Sequence, residues 1–501
     1  MVKDRKSIFV YTAIVFVSLI VLNIISRDVF YRLDLTDNQQ YSLSSSTKSV
    51  VKNIDDLLSI KLYFSENLPP EEANTKRYVQ DLLEEYVAIS KGKIQIEYFS
   101  ADDDEKLQNE AVSAGIQPYQ SQILENDKME IRIVFMGLSM LYNDKKEAIP
   151  ILSRNISLEY ELTKRLKKLT SQGKSKIVLA KVGQQELGVQ NLTQILSEVH
   201  EVNQVNLADG INENVDLAFV MDVADSLSVE EMSALAIFVE GGGKLVVGQG
   251  RINASISSFQ AEPIRSNLFD LLGSWGINIQ ENMVLDRKCG AVTVPQQQMF
   301  GGFIPVTVNK QVNYPFLPIV ESFDKDQPVV SDLEQIILLY PSEVVENDST
   351  TFSLFSSSDN TAVMKEFYNL HFDPESNPIL NQLSEEGRSL ATVSTISAGG
   401  DPQIITVGSS KFFTDDLGAG GANANGAFVL NAVDYLLGDS ELIALRSRSV
   451  TSRPLLELDK SEKAWWKWMN MLLPMMLVIL LAVYKYRSES RRSTNLQDRF
   501  E

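Results

Sequence analysis

Cysteine occurs once in this 501-residue chain, at Cys289, and histidine only twice, at His200 and His371. A single thiol excludes an internal disulfide framework and any multi-cysteine metal site. Two histidines far apart in sequence leave little material for imidazole catalysis. Positive charge is also short: 46 Lys and Arg stand against 66 Asp and Glu, a formal charge of −20. Such a surface repels phosphate backbones, so nucleic acid is not an expected partner.

A working phosphate loop is missing as well. The run VEGGGKLVVGQG (239–250) has the glycines and the lysine of one, but they follow a helical segment and precede a strand. Anion cradles need strand, loop, then helix, so that helix N–H groups face the phosphate. The order here predicts a helix C-cap. In TSQGKS (170–175) the first glycine position is Lys168 and a strand follows. Neither segment predicts nucleotide binding, and no cofactor is expected. Cys289, in DRKCGAV, reads as a small buried hydrophobe, His200 as a helix-end residue and His371 as a turn residue. The acids Asp102, Asp103, Asp104 and Glu105 lack the alternating ligands and central glycine of a calcium loop. No catalytic residue and no metal site is expected, so the chain does not read as an enzyme.

What is present begins with two apolar runs at the ends. Ile8–Ile25 carries no charge, follows Lys3, Arg5 and Lys6, and lacks a small-residue cleavage site. It reads as an uncleaved signal anchor over 8–26. A second run reaches Tyr484, with Trp465, Trp466 and Trp468 at its start and Lys485, Arg487, Arg491 and Arg492 beyond it. Indole rings favour the headgroup zone, so these tryptophans predict interface anchors of a second span over 465–484 in contact with membrane lipid. The basic flanks place residues 1–7 and 485–501 in the cytoplasm of a bacterial inner membrane and the body between the spans in the periplasm.

With 44% hydrophobic and 22% charged residues, that body is globular. Strand and helix alternate through a membrane-proximal α/β domain (27–150) and a central α/β domain (151–445) with a β-rich insertion at about 280–400, followed by a linker (446–464). The segment LSVEEMSALAIFVE carries a capping box, Ser228 with Glu231. The last α/β unit predicts strand PQIITVGSS, loop KFFTDDLGAGGANANG and helix AFVLNAVDYLLG. A loop there lies at the carboxyl end of a sheet strand, where open α/β sheets bind ligands. Thr414, Asp415, Asp416, Asn423 and Asn425 are therefore the candidate ligand or partner residues, against the alternative of a loop that only caps its helix.

Taken in order, RLDLTDNQQYSLSSSTKSVVKNI, YFSENLPP, YVQDLLEEY, GKIQIEYFSADDD, LEYELTKRLKKL, VDLAFVMDVADSLSVEEMSALAIFVEGGGKLVV and the closing VGSSKFF…NGAFVLNAVDYLLGD…SRPL cover nearly the whole chain. In this arrangement it resembles the gliding-motility-associated ABC transporter auxiliary subunits, the Gld-type G component and its relatives. The resemblance implies an inner-membrane accessory protein assembled with an ABC permease and a cytoplasmic ATPase, with one or two copies per complex left open. It also implies gliding motility or surface export in Bacteroidetes-type bacteria, and a central domain like glutamine amidotransferases (flavodoxin-like) without their catalytic residues. Where many relatives carry a Gly-His-Gly-Glu-like stretch, this chain reads VGQQELG, keeping Glu186 without the histidine. Two other expectations stand beside it: a membrane-tethered periplasmic solute-binding protein with its cleft near 414–426, and a relic hydrolase using Cys289.

Overall fold

In the computed structural model the described residues are 42–446, except 67, 101–104, 126–127, 153–157, 171–172, 185, 256–258, 301–303, 332, 348, 398, 440–441 and 444. Residues 15, 16 and 18 and the helix 460–497 are described too. The chain divides into two compact units, Met1–Ser449 and Val450–Glu501.

The first unit opens with α1 (Ser45–Lys52), whose start is capped by Ser44 accepting from the Thr47 N–H. Strand β1 (Leu58–Phe64), helix α2 (Pro70–Ile89) and strand β2 (Ile94–Phe99) form a parallel crossover. After α3 (Glu105–Ser113) come β3 (Tyr119–Glu125), β4 (Lys128–Val134), β5 (Met136–Tyr142) and β6 (Lys145–Ile149). The four-stranded sheet has the order β2-β1-β5-β6. Helix α4 (Leu158–Thr170) buries Leu158, Leu162, Leu166 and Leu169 in the same core as β1 and β5. That stripe recurs at three- and four-residue spacing, one apolar face of a helix, and leaves Lys164, Lys167 and Lys168 on the remaining surface.

The central sheet is built from β7 (Lys176–Lys181), helix α5 (Gln190–Ser197), β8 (Glu201–Asn206), β9 (Leu217–Met221), helix α6 (Val229–Glu240) and β10 (Lys244–Gly248). A long insertion follows, with the hairpin β11 (Ile252–Ser255) and β12 (Gln260–Pro263), helix α7 (Leu268–Ser274), β13 (Asn278–Ile279), β14 (Met283–Asp286), β15 (Cys289–Phe300) and β16 (Ile304–Val320). Strands β17 (Ser322–Phe323), β18 (Ile336–Ile337), β19 (Val344–Val345), β20 (Thr351–Ser356), β21 (Thr361–Met364) and β22 (Ser389–Ser394) lead to β23 (Ile404–Val407) and helix α8 (Gly418–Leu436). Eight strands share one sheet, ordered β17-β20-β22-β23-β10-β9-β7-β8. Its five parallel members, counted along the chain, stand in the order 2-1-3-4-5, one of the two common doubly wound arrangements. Strands β9 and β10 are nearly continuous apolar runs because α5 and α8 cover one face and α6 and α7 the other.

The glycine run at 241–243 ends α6 as the sequence predicts. Gly242 takes φ +95°, its N–H bonds the Val239 carbonyl, and the Gly243 N–H reaches the Phe238 carbonyl. These two bonds are the Schellman pattern. At the other end both halves of the Ser228–Glu231 capping box are formed.

The second unit contains α9 (Lys460–Gln497), with Pro474 inside it. Among the described residues, no helix is long and apolar enough to cross a membrane. Two transmembrane helices are therefore not shown. The expected first span, 8–26, lies outside the described residues except at 15, 16 and 18. The second lies within α9, where Lys467 and Asn470 interrupt it. The uninterrupted part, 471–484, is about 21 Å long at 1.5 Å per residue, short of a hydrocarbon core of about 30 Å. Trp465, Trp466 and Trp468 are at least half exposed, and Met471, Met475, Met476, Val478 and Ile479 are exposed as well.

Candidate functional site

In a doubly wound sheet the chain turns from one helix layer to the other at one point, and the loops there form a crevice. Here that point lies between the carboxyl ends of β7 and β9. The loop after β23 reaches over β10 to the same end. The crevice is filled by the protein's own side chains. Phe412 and Phe413 are buried, and the Phe413 ring meets Phe219 edge-on at 5.4 Å. A Cβ placed on Gly248 would stand 2.4 Å from that ring, so glycine is what lets the phenylalanine descend onto β10.

Beneath the rings runs a closed polar network. The fully buried Gln249 accepts from the Val223 N–H at 2.7 Å and donates to the carbonyls of Val223 and Gly250 at 3.0 and 2.9 Å. Its amide also meets the Ser410 hydroxyl, which accepts from the Gly250 N–H. Above it, the Lys411 ammonium lies 2.7 Å from Asp222 and 3.6 Å from Asp416. Asp222 sits at φ +51° just past β9, and burial pushes its carboxyl above the ordinary range while Lys411 pulls it back. Lys411 and Asp222 are 189 residues apart in sequence, and no local motif announces the pair.

The sequence candidates divide. Thr414 is buried and donates to Asp416 Oδ2 at 2.5 Å. Asp415 accepts from the N–H groups of Gln190 and Asn191 at 2.8 and 3.0 Å, so it caps α5, whose own N-cap is Val189. A negative group at a helix start meets both the free N–H donors and the helix dipole. Thr414, Asp415 and Asp416 thus lie together, each held by the fold. Asn425 lies elsewhere: it is buried, and its amide exchanges two hydrogen bonds, 2.9 and 2.8 Å, with the backbone of Ile337. The Asn423 side chain is outside the described residues. The expected loop is also shorter than read, because α8 already begins at Gly418.

Glu186 lies past β7 with its side chain 95% exposed, 4.0 Å from Lys181. Cys289 is half-buried at the start of β15, and burial pushes its thiol up, away from thiolate chemistry. His371 turns its Nδ1 to accept from the Asp373 N–H and stacks on Phe372. His200 follows α5 just before β8, and its N–H bonds the Leu196 carbonyl. Burial takes its imidazole down to about 4. The favourable cation at a helix end that the sequence suggests is therefore absent at neutral pH. Among the described residues, no group of three or more His, Cys, Asp or Glu side chains forms a possible metal site.

A further buried pair was not readable from the sequence. Arg446 lies 2.7 Å from Asp434 on α8, bonds Asn431, and donates to the Tyr160 hydroxyl on α4 at 3.1 Å. Burial raises the Asp434 carboxyl to about 6 despite the guanidinium beside it.

Comparison with known proteins places these features. A domain of unknown function matches residues 37–140. An uncharacterized protein of Borreliella burgdorferi is 23% identical over 448 residues, covering 84% of this chain and 86% of that one. Among solved structures, the N-terminal domain of mmIFT52 aligns at 13% identity and a TM-score of 0.34, covering 52% of this chain and 97% of that domain. A ThuA-like protein from Parabacteroides merdae aligns at 13% identity and a TM-score of 0.30, over 57% of this chain and 95% of that one. Residues 164–432, more than half of the chain and the whole central sheet, match the family described as an ABC-type uncharacterized transport system, and the chain belongs to that family.

Proposed function

We propose that the chain is a non-catalytic auxiliary subunit of an ABC transporter, assembled with a separate permease and a separate ATPase. Membership of the transport family carries this reading. The filled crevice supports it: the place where a doubly wound sheet holds a ligand is occupied by Phe413, Gln249 and the Lys411–Asp222 pair. We read the central domain as an amidotransferase-like scaffold without a nucleophile. The 2-1-3-4-5 order supports that reading.

In this proposal segments 8–26 and 465–484 hold the protein in a bacterial inner membrane, both ends cytoplasmic and the body periplasmic. The exposed apolar side chains of α9 and its three tryptophans support the second anchor; indoles and lysine stems at the interface complete a crossing that the apolar run alone leaves short. Gliding motility or surface export is the process we assign to the assembly. The capping role of Asp415 and the Ile337 clamp made by Asn425 favour this reading over a tethered solute-binding protein.

Purification of the tagged full chain from membranes in mild detergent should bring down an ABC permease and its ATPase, identified by mass spectrometry. A chain that extracts as a membrane protein but carries neither subunit, under conditions where another transporter stays intact, refutes the assignment. Cysteine labelling at 100–450 with a membrane-impermeant reagent tests the orientation, and protection of those sites in intact spheroplasts reverses it.

A further inference from the structure

The strongest unassigned feature is a cavity of about 420 Å³ where the N-terminal core meets the amino end of the central sheet. Six lysines line it: Lys145 and Lys146 from β6, Lys164, Lys167 and Lys168 from α4, and Lys174 from the turn before β7. Among the described residues the carboxylates in its wall are Glu147 and Asp439. Glu147 is engaged by Lys168 at 2.6 Å and Asp439 by Lys167 at 2.5 Å, while Lys164 reaches out to Glu198. Among the described residues, even with Glu198 counted, ammonium groups outnumber carboxylates two to one, in a chain whose formal charge is −20. Lys146 and Lys174 form no ion pair among the described residues.

A second observation points the same way. His200 lines this cavity, is only 6% exposed as a residue, and its ring nitrogens, which are not shut off from solvent, make no hydrogen bond to protein among the described residues. A ring that lines the cavity and pairs with no protein group keeps its N–H available to an occupant. The volume falls within the range of small-molecule sites.

We propose that this cavity binds a small, multiply charged anion of the phosphate class, held by Lys146, Lys174 and the lysines of α4, with His200 donating a hydrogen bond to it. Lysine suits this task as a compact charge with three donors. Neutral at pH 7, the imidazole has one N–H to offer without adding to the repulsion among the lysines.

Inorganic pyrophosphate is the probe, titrated calorimetrically into the full chain in detergent at constant ionic strength. The Lys146→Gln/Lys174→Gln double variant should bind about tenfold more weakly, since two partly exposed charges are removed. In a His371→Gln chain labelled at histidine, His200 gives a lone resonance, which should shift with pyrophosphate and saturate at the calorimetric Kd. Unchanged affinity in the double variant, or binding that leaves His200 unmoved, overturns the proposal. Dihexanoyl phosphatidic acid separates the sources: a shift with that lipid but not with pyrophosphate assigns the phosphate to a headgroup, and the reverse assigns it to a soluble compound. Silence from both overturns the site.

Discussion

Replacing Lys411 by methionine tests whether the sheet's carboxyl end is held shut by its own charges. Lys411 is 29% exposed and Asp222 22%, at 2.7 Å. Exposed pairs contribute at most about 1 kcal/mol, whereas breaking a fully buried one costs about 3–5 kcal/mol. A pair exposed to this degree lies between, so Lys411→Met should cost about 2 kcal/mol, a fall of roughly 3 °C in Tm for a domain of this size. The companion change is Asp222→Asn. Asparagine tolerates the left-handed backbone at this position, and it removes the charge that the first change strands in the wall. Thermal and urea unfolding of both single variants and the double variant complete the cycle. The double variant should be more stable than the summed losses require, with a coupling of about 1–2 kcal/mol. A coupling under about 0.4 kcal/mol is what independent sites give, and it would remove the ion pair from the account of why this crevice is closed.

Stability should also report on His200 and Asp434. His200 has a folded value of about 4, below the ordinary value of about 6.5. Its contribution is therefore complete above about pH 6.5 and lost as pH falls toward 4; His200→Gln should remove a slope of roughly 2 kcal/mol between pH 7 and 5, and urea midpoints that keep the slope refute this. Asp434 titrates the other way, because a carboxyl raised to about 6 contributes stability below its unfolded value of about 3.9 and loses it as pH rises through 6. Asp434→Asn should flatten that loss, and a slope unchanged from the parent between pH 4 and 6 counts against the burial argument. Asp415→Ala should cost about 1 kcal/mol by uncapping α5 and speed amide exchange at Gln190 and Asn191. Asp416→Ala removes an acceptor of the Thr414 hydroxyl and should cost up to about 1 kcal/mol, but it should leave exchange at Gln190 and Asn191 unchanged, and equal exchange effects of the two changes contradict the cap.

Local signals were legible in the sequence and long-range ones were not. The capping box at Ser228, the C-cap at Gly242 and the buried parallel strands each depend on residues within one or two turns, so pattern alone reveals them. Residues 418–426 misled because glycine costs a helix about 1 kcal/mol per position, and their composition reads as loop. Tertiary packing overrides that cost: Asn425 clamps Ile337, and Phe428, Ala432 and Val433 are buried in the main core. The transport family was legible because its segments are spread in order along the chain. The lysine cavity was not, since its walls come from 145–147, 164, 167–169, 173–175, 199–200, 439 and 442, and only the seating of α4 on the N-terminal core, with Lys164 and Lys167 reaching Glu198 and Asp439, brings them together.

That packing gives the cavity a mechanical consequence. Lys146 belongs to the N-terminal sheet, Lys174 to the turn that leads into the central one, and α4 runs between them. Lys164–Glu198 and Lys167–Asp439 already tie α4 to the central domain, whereas Lys146 and Lys174 have no such counter-charge among the described residues. An anion held by Lys146 and Lys174 adds a further tie between these elements, and it stabilises them only by its differential affinity for the folded arrangement. The carboxyl-end crevice has no such lever, since Phe413 and Gln249 satisfy it internally. The proposed anion should therefore act on stability at the amino end of the sheet. It follows that pyrophosphate at about 100 times its Kd should add about 2.7 kcal/mol to the unfolding free energy. It should also slow amide exchange in 173–177 more than in 408–417. Equal slowing of the two segments would mean that the anion stiffens the domain as a whole and does not join its two cores.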